Sequence, residues 1–121
     1  MTTATKMLLG GHADIVRLVD LARTLGQPDH YPGKRRHARI QSGVPLELTL
    51  DPGGPRGVNS VSMHNVSEGG LAFWSRTTLE LGQTIYLREF TDEPRPWLKA
   101  RVAHRTRGIR GFLIGCEFEL P

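Results

Sequence analysis

Two periodicities divide the chain. From Ala13 to Leu25 the apolar positions Ile15, Val16, Val19, Ala22 and Leu25, flanked by Leu18 and Leu21, recur at three- and four-residue spacing, the signature of one helix face. Asp14 in the first turn and Arg23 near the last both complement the helix dipole. Gly26, with Pro28 just beyond, supplies the stop. The spacing predicts an amphipathic helix over residues 13–26. Ahead of it, residues 1–12 are mostly small or polar and close on Gly10-Gly11, which reads as a flexible N-terminus.

Past residue 45 the period shortens to two. Leu46, Leu48 and Leu50 alternate with Glu47 and Thr49 up to the turn Asp51-Pro52-Gly53-Gly54-Pro55. Val58 to Val66 follows, with Val61 and Met63 on one side; then Leu71 to Ser75; then Thr84 to Phe90, entered from Leu81-Gly82. Trp97 to Arg105 sets Leu98, Ala100 and Val102 against Lys99, Arg101 and Arg105. In the last run Phe112, Ile114, Cys116, Phe118 and Leu120 alternate with Leu113, Gly115, Glu117 and Glu119. About six short strands at regular spacing predict a mainly β fold, an antiparallel barrel over residues 45–121 that closes to remove its edges. No repeat recurs at a fixed period, which excludes a solenoid or propeller. The same alternation gives His104 and Cys116 inward parity, so Cys116 reads as an inert buried thiol rather than a nucleophile.

Composition narrows this picture. A length of 121 residues suits one domain, and 38% apolar residues build one modest core. No stretch approaches the ~20 apolar residues of a membrane span, and Met7-Leu8-Leu9 is too short for a secretory segment. The single cysteine excludes an intrachain disulfide and a multi-cysteine metal cage. These features together predict a soluble, reduced, cytoplasmic protein. The net charge is +4, and arginine supplies nearly all of the positive charge, the lysines being Lys6, Lys34 and Lys99. Arginine's planar fork suits phosphate oxygens and the guanine edge. A nucleotide, a nucleic acid or an acidic membrane surface are the partners such a domain favours.

Two segments concentrate the chemistry. Residues 27–44 form a connector punctuated by proline and glycine, and it carries Lys34-Arg35-Arg36-His37-Ala38-Arg39 with no acid between Asp29 and Glu47. At the turn between the second and third strands lies Asn65-Val66-Ser67-Glu68-Gly69-Gly70. Asn65 and Ser67 can cap neighbouring backbone or read a ligand edge. Gly69 and Gly70 permit positive φ and close approach of another group. Alone, the first segment reads equally as a solvated basic linker and the second as a polar hairpin turn.

In this order, an Arg-x-x-x-Arg pair before the first strand followed about 25 residues later by Asn-x-Ser-x-x-Gly, the chain resembles the PilZ domain. The resemblance covers roughly residues 33–120 and extends to Ile114-Gly115-Cys116-Glu117-Phe118, which looks like the Gly-x-x-Phe ending of that family's last strand. It implies a six-stranded antiparallel PilZ-type β-barrel, here with an N-terminal helix and no C-terminal helix. It further implies a bacterial receptor without catalytic activity, whose ligand is the second messenger cyclic di-GMP and whose output goes to a separate, unidentified effector protein. Carried over by position, the ligand-binding residues are Arg35, Arg39, Asn65, Ser67 and Gly70. Lys34, Arg36 and Gly69 stand beside them as additional contacts. The connector is expected to be mobile when free and to order on the ligand, and the helix either to cover the barrel end or to form a homodimer.

Other chemistry finds little footing. The five histidines His12, His30, His37, His64 and His104 share no ligand spacing, so no metal is expected, and no cofactor. There is no nucleophile elbow, P-loop or dinucleotide fingerprint, so no catalytic residues are assigned and an enzyme is not expected. Two alternatives remain: a PilZ-like interaction module with weak or no ligand binding, working through the helix, and a basic single-strand nucleic-acid binder. The latter would stack bases on Trp74, Trp97, Tyr86 and Phe90. Phe73 and Trp74, however, are consecutive and face opposite sides of their strand.

Overall fold

The computed structural model describes residues 9–28, 39–53 and 57–121. A helix, α1 (His12–Leu25), is followed by β1 (Gln27–Pro28), β2 (Ile40–Gln41), β3 (Pro45–Thr49), β4 (Asn59–Val66), β5 (Gly70–Ser75), β6 (Thr84–Glu89), β7 (Leu98–Gly108) and β8 (Gly111–Phe118). The last six strands close on themselves in the order β4-β3-β6-β7-β8-β5, with β5 returning to β4 and every pair antiparallel. This is the six-stranded closed barrel read from the alternation, with one helix N-terminal to it.

Period-two patterning explains the barrel. Leu46 and Leu48, Ile85 and Leu87, Ala100 and Val102, Leu71 and Phe73, and Ile114 and Cys116 all point inward and are buried, around a fully buried Phe73. α1 covers this core with Ile15, Leu18, Val19 and Ala22. The three larger side chains contribute roughly 1.5–3 kcal/mol each on burial. That face is therefore used within the chain, and a homodimer built on it would have to strip the barrel of its cover. Arg17 Nη1 donates to Glu89 Oε1 at 2.8 Å and holds the exposed side of the helix to β6.

The ends of α1 are set by local chemistry. Gly11 N donates to the Asp14 carboxylate at 2.9 Å, satisfying one open donor of the first turn. At the other end Gly26 is extended rather than left-handed. Its need for glycine is close approach: a Cβ there would run into the Gln41 carbonyl oxygen and sit 2.7 Å from Ser42 Cβ. β1 and β2 pair at this crossing, Gln27 with Gln41 and Pro28 with Ile40. Part of the connector thus joins the sheet. Residues 29–38 lie outside the described residues, and so do 1–8. Leu9 bridges to Trp97 and Gly10 N donates to Trp97 O at 2.7 Å, so residues 9 and 10, read as part of a flexible end, are tied to the barrel.

Two irregularities shape the outer surface. On β4, Met63 pairs with Phe73 and Asn65 with Ala72, leaving His64 as an extra residue. On β7, Val102 pairs with Cys116 and His104 with Gly115, leaving Ala103 as an extra residue. Each bulge reverses the parity that follows it. This is why His104, with inward parity in a regular strand, is exposed on the outside. No helix is long and apolar enough to cross a membrane.

Candidate functional site

The two bulges bracket one row of outward residues running across four strands: Asn65 on β4, Ala72 on β5, Gly115 on β8 and His104 on β7. The two middle members are the smallest, so the row is a floor between polar walls. The open groove over it measures about 760 Å³. Arg39, His64, Asn65, Ser67 and Gly70 line one side; His104, Thr106 and Leu113 line the other. Glu117 and Phe118 close the end nearest the β4–β5 turn. The volume falls within the ~300–1,000 Å³ usual for small-molecule sites.

The turn that carries Ser67 and Gly70 is rigid. Ser67 N donates to Gly70 O at 2.8 Å, and Gly69 N donates to Ser67 Oγ at 3.2 Å. Phe118 N donates to Gly69 O at 3.0 Å, which fixes the turn to the end of β8. The expected positive φ at Gly69 and Gly70 is not used: among the described residues the left-handed glycines are Gly53, Gly57, Gly82 and Gly111. Gly70 is required for the second reason given by its sequence, close approach, because a Cβ there would collide with the Cys116 carbonyl oxygen. Ser67 is buried and Asn65 half-buried, both at the groove wall.

Arg39 enters from the connector. Its neighbour Ile40 pairs with Val66 and Gln41 pairs with Asn65, so β2 brings Arg39 to the groove beside the turn. Arg39, Asn65, Ser67, Gly69 and Gly70 are therefore brought together from distant points of the sequence. Lys34, Arg35 and Arg36 lie outside the described residues. Ala72, His104, Thr106, Leu113, Gly115 and Glu117 were not singled out for the site by the sequence. Gly115, a lone glycine inside a strand, was the available signal for a close approach there; it sits under the His104 side chain, whose Cβ would be 3.4 Å from an added Cβ.

Several side chains in and around the groove make contacts of their own. His64 meets Trp74 edge-on, ring centroids 5.8 Å apart. Trp97 is buried beneath Arg88, whose Cζ lies 4.0 Å from the ring centroid. Trp74, Trp97, Tyr86 and Phe90 thus do not share one exposed stacking face. Cys116 lies under the floor, its thiol donating to Leu71 O at 3.4 Å; burial pushes its pKa up to about 12, which suits an inert packing thiol. Among the described residues no group of three His, Cys, Asp or Glu side chains is placed to hold a metal ion.

Comparison with known proteins agrees with this geometry. No curated protein sequence matches the chain. Among solved structures it is similar to the Bacillus subtilis inhibitor of motility (MotI/DgrA), with a TM-score of 0.58 and 15% identity over 74% of this chain and 45% of that one. The chain thus spans less than half of that protein's length, and the likeness at this identity is one of fold. The family model of the PilZ domain matches residues 33–121, from the basic connector to the last strand. With its closed six-stranded barrel and its matching connector and turn, the chain belongs to the PilZ domain family.

Proposed function

We propose that the chain is a non-catalytic receptor for cyclic di-GMP, which occupies the groove across β4, β5, β8 and β7 and whose binding is relayed to a partner protein. One observation carries the reading: β2 and the β4–β5 turn bring Arg39, Asn65, Ser67 and Gly70 to one wall of a single groove. Cyclic di-GMP carries two phosphates and two guanines. Arg39 would fork onto guanine O6 and N7 or a phosphate oxygen, and Arg35, four residues earlier in the sequence, would supply the second arginine of the pair. Asn65 and the fixed turn would hold the second guanine edge. The flat floor of Ala72 and Gly115 admits a purine face, which a larger side chain would displace.

The assignment makes the barrel, with its fixed β4–β5 turn, the preformed part of the site. Isothermal titration with cyclic di-GMP, with GMP as the control, tests it. Saturable micromolar or tighter binding, lost in Arg35→Ala and Arg39→Ala at unchanged thermal stability, is the expected result. Undiminished binding in both variants would remove these residues from the site, and no heat from folded protein would end the receptor reading.

A further inference from the structure

Strand β7 outruns its neighbour. Its pairing with β6 ends at Thr84 opposite Arg101, with the Gly82–Gln83 backbone closing on Val102, whereas its pairing with β8 continues to Gly108 opposite Gly111. Among the described residues no strand pairs with His104–Gly108 on the side away from β8, and all five are exposed. In an antiparallel ladder alternate residues turn N–H and C=O away from their partner. This stretch is therefore an open sheet edge, a template for a further strand.

The edge is stiff and strongly basic. Arg105 Nη1 donates to Leu79 O at 3.2 Å, and the Trp74 ring lies against Gly108, where an added Cβ would be 3.3 Å from Cζ3. No acid occurs between Glu93 and Glu117, a span that holds Arg95, Lys99, Arg101, Arg105, Arg107 and Arg110. Arg95 and Arg101 lie near Glu89 and Glu119, but Arg107 and Arg110 have no ion-pair partner among the described residues. Between them Ile109 projects fully exposed at the hairpin tip.

We propose that the β7 edge, His104–Gly108, docks an extended acidic polypeptide segment. The segment adds to the sheet through backbone hydrogen bonds, its carboxylates meet Arg107 and Arg110, and one of its apolar side chains covers Ile109. Alternating donors and acceptors along an open edge match a peptide backbone, whereas a nucleic acid supplies phosphate acceptors without that alternation. A membrane would require a wider apolar patch than one isoleucine. The inference does not rest on the cyclic di-GMP reading, but His104 and Thr106 also line that groove, so its test uses ligand-free protein.

The probe is a fluorescein-labelled peptide of alternating glutamate and valine, followed by anisotropy at low salt, with hydrogen exchange read on the hairpin amides. Saturable binding that weakens with salt, slowed exchange confined to residues 104–108, and a loss on the order of tenfold in Arg107→Glu/Arg110→Glu are expected. The milder Arg107→Gln/Arg110→Gln pair should weaken binding in the same direction. No binding, binding indifferent to both pairs of substitutions, or binding without protection of the edge amides would overturn the proposal. So would a single-stranded oligonucleotide or phosphatidylserine vesicles binding the hairpin more tightly than the peptide.

Discussion

Replacing Gly70 with alanine asks whether the turn is held by close approach of two backbones. The added Cβ would overlap the Cys116 carbonyl oxygen and lie 3.1 Å from Cys116 C and 3.2 Å from Glu117 Cα. All three neighbours are backbone, so no rotamer change relieves the overlap. β5 and β8 would have to separate by roughly 1 Å, an overpacking cost of about 1–3 kcal/mol. Separation also loosens the Phe118 N donation to Gly69 O, worth about another 1 kcal/mol. The total is about 2–4 kcal/mol. For a domain of this size about 1 kcal/mol moves Tm by ~4 °C, so Gly70→Ala should melt about 8–16 °C lower. Gly43→Ala is the control: no atom lies within 4 Å of its Cβ and its φ is not in the left-handed region. It should change stability by less than ~0.5 kcal/mol. Thermal unfolding by circular dichroism reads both. A Gly70→Ala protein that melts with the parent would refute the close-approach argument.

Three further outcomes follow from other parts of the molecule. Arg39→Ala should lose cyclic di-GMP binding at unchanged Tm, because the side chain sits at the groove edge outside the core; calorimetry and melting together check this. Glu89 is nearly enclosed and holds Arg17 at 2.8 Å with Arg95 at 3.7 Å; Glu89→Gln should cost about 1 kcal/mol and speed hydrogen exchange of α1 amides. Cys116 keeps its proton in the fold until about pH 12, whereas the unfolded thiol ionises near its ordinary value of 9.0. Above that value the unfolded chain has fewer bound protons than the native one, so stability falls as pH rises between these limits, by up to ~1.4 kcal/mol per pH unit. Denaturant titrations should show a shallower alkaline decline in Cys116→Ala than in the parent.

Periodicity made most of the barrel legible. Inward positions such as Leu46, Leu48, Phe73, Ile114 and Cys116 follow directly from alternation, and the opposite fates of Phe73 and Trp74 follow from their adjacency. The helix itself was equally plain from its spacing, but its buried face is Ile15, Leu18, Val19 and Ala22, whereas Leu25, read as part of that face, is exposed at the helix end. His104 was misplaced because an added residue, Ala103, is invisible to a parity count: nothing in its side chain marks it as supernumerary. Gly70 was recognised as special, but of its two possible reasons only the fold could select, since the neighbouring carbonyl comes from a strand 46 residues further on. β1 and β2 are too short to carry a period at all. The groove wall formed by His104, Thr106 and Leu113 escaped notice for a related reason: it is assembled from strands that carry no motif of their own.

The paired bulges have a consequence for how this surface can vary. The two strands that flank the groove, β4 and β7, each carry one residue more than the β5–β8 pair between them, at opposite ends of the same row. An added residue bends its strand and increases local twist whatever side chain it bears. The hollow is thus written in residue number, while the polarity of its lining is written in residue type at positions such as Asn65, Ser67 and His104. The two inheritances are separable: substitution can change the chemistry of the lining while the contour persists, and a one-residue deletion at position 64 or 103 can flatten the contour while Asn65, Ser67 and His104 remain.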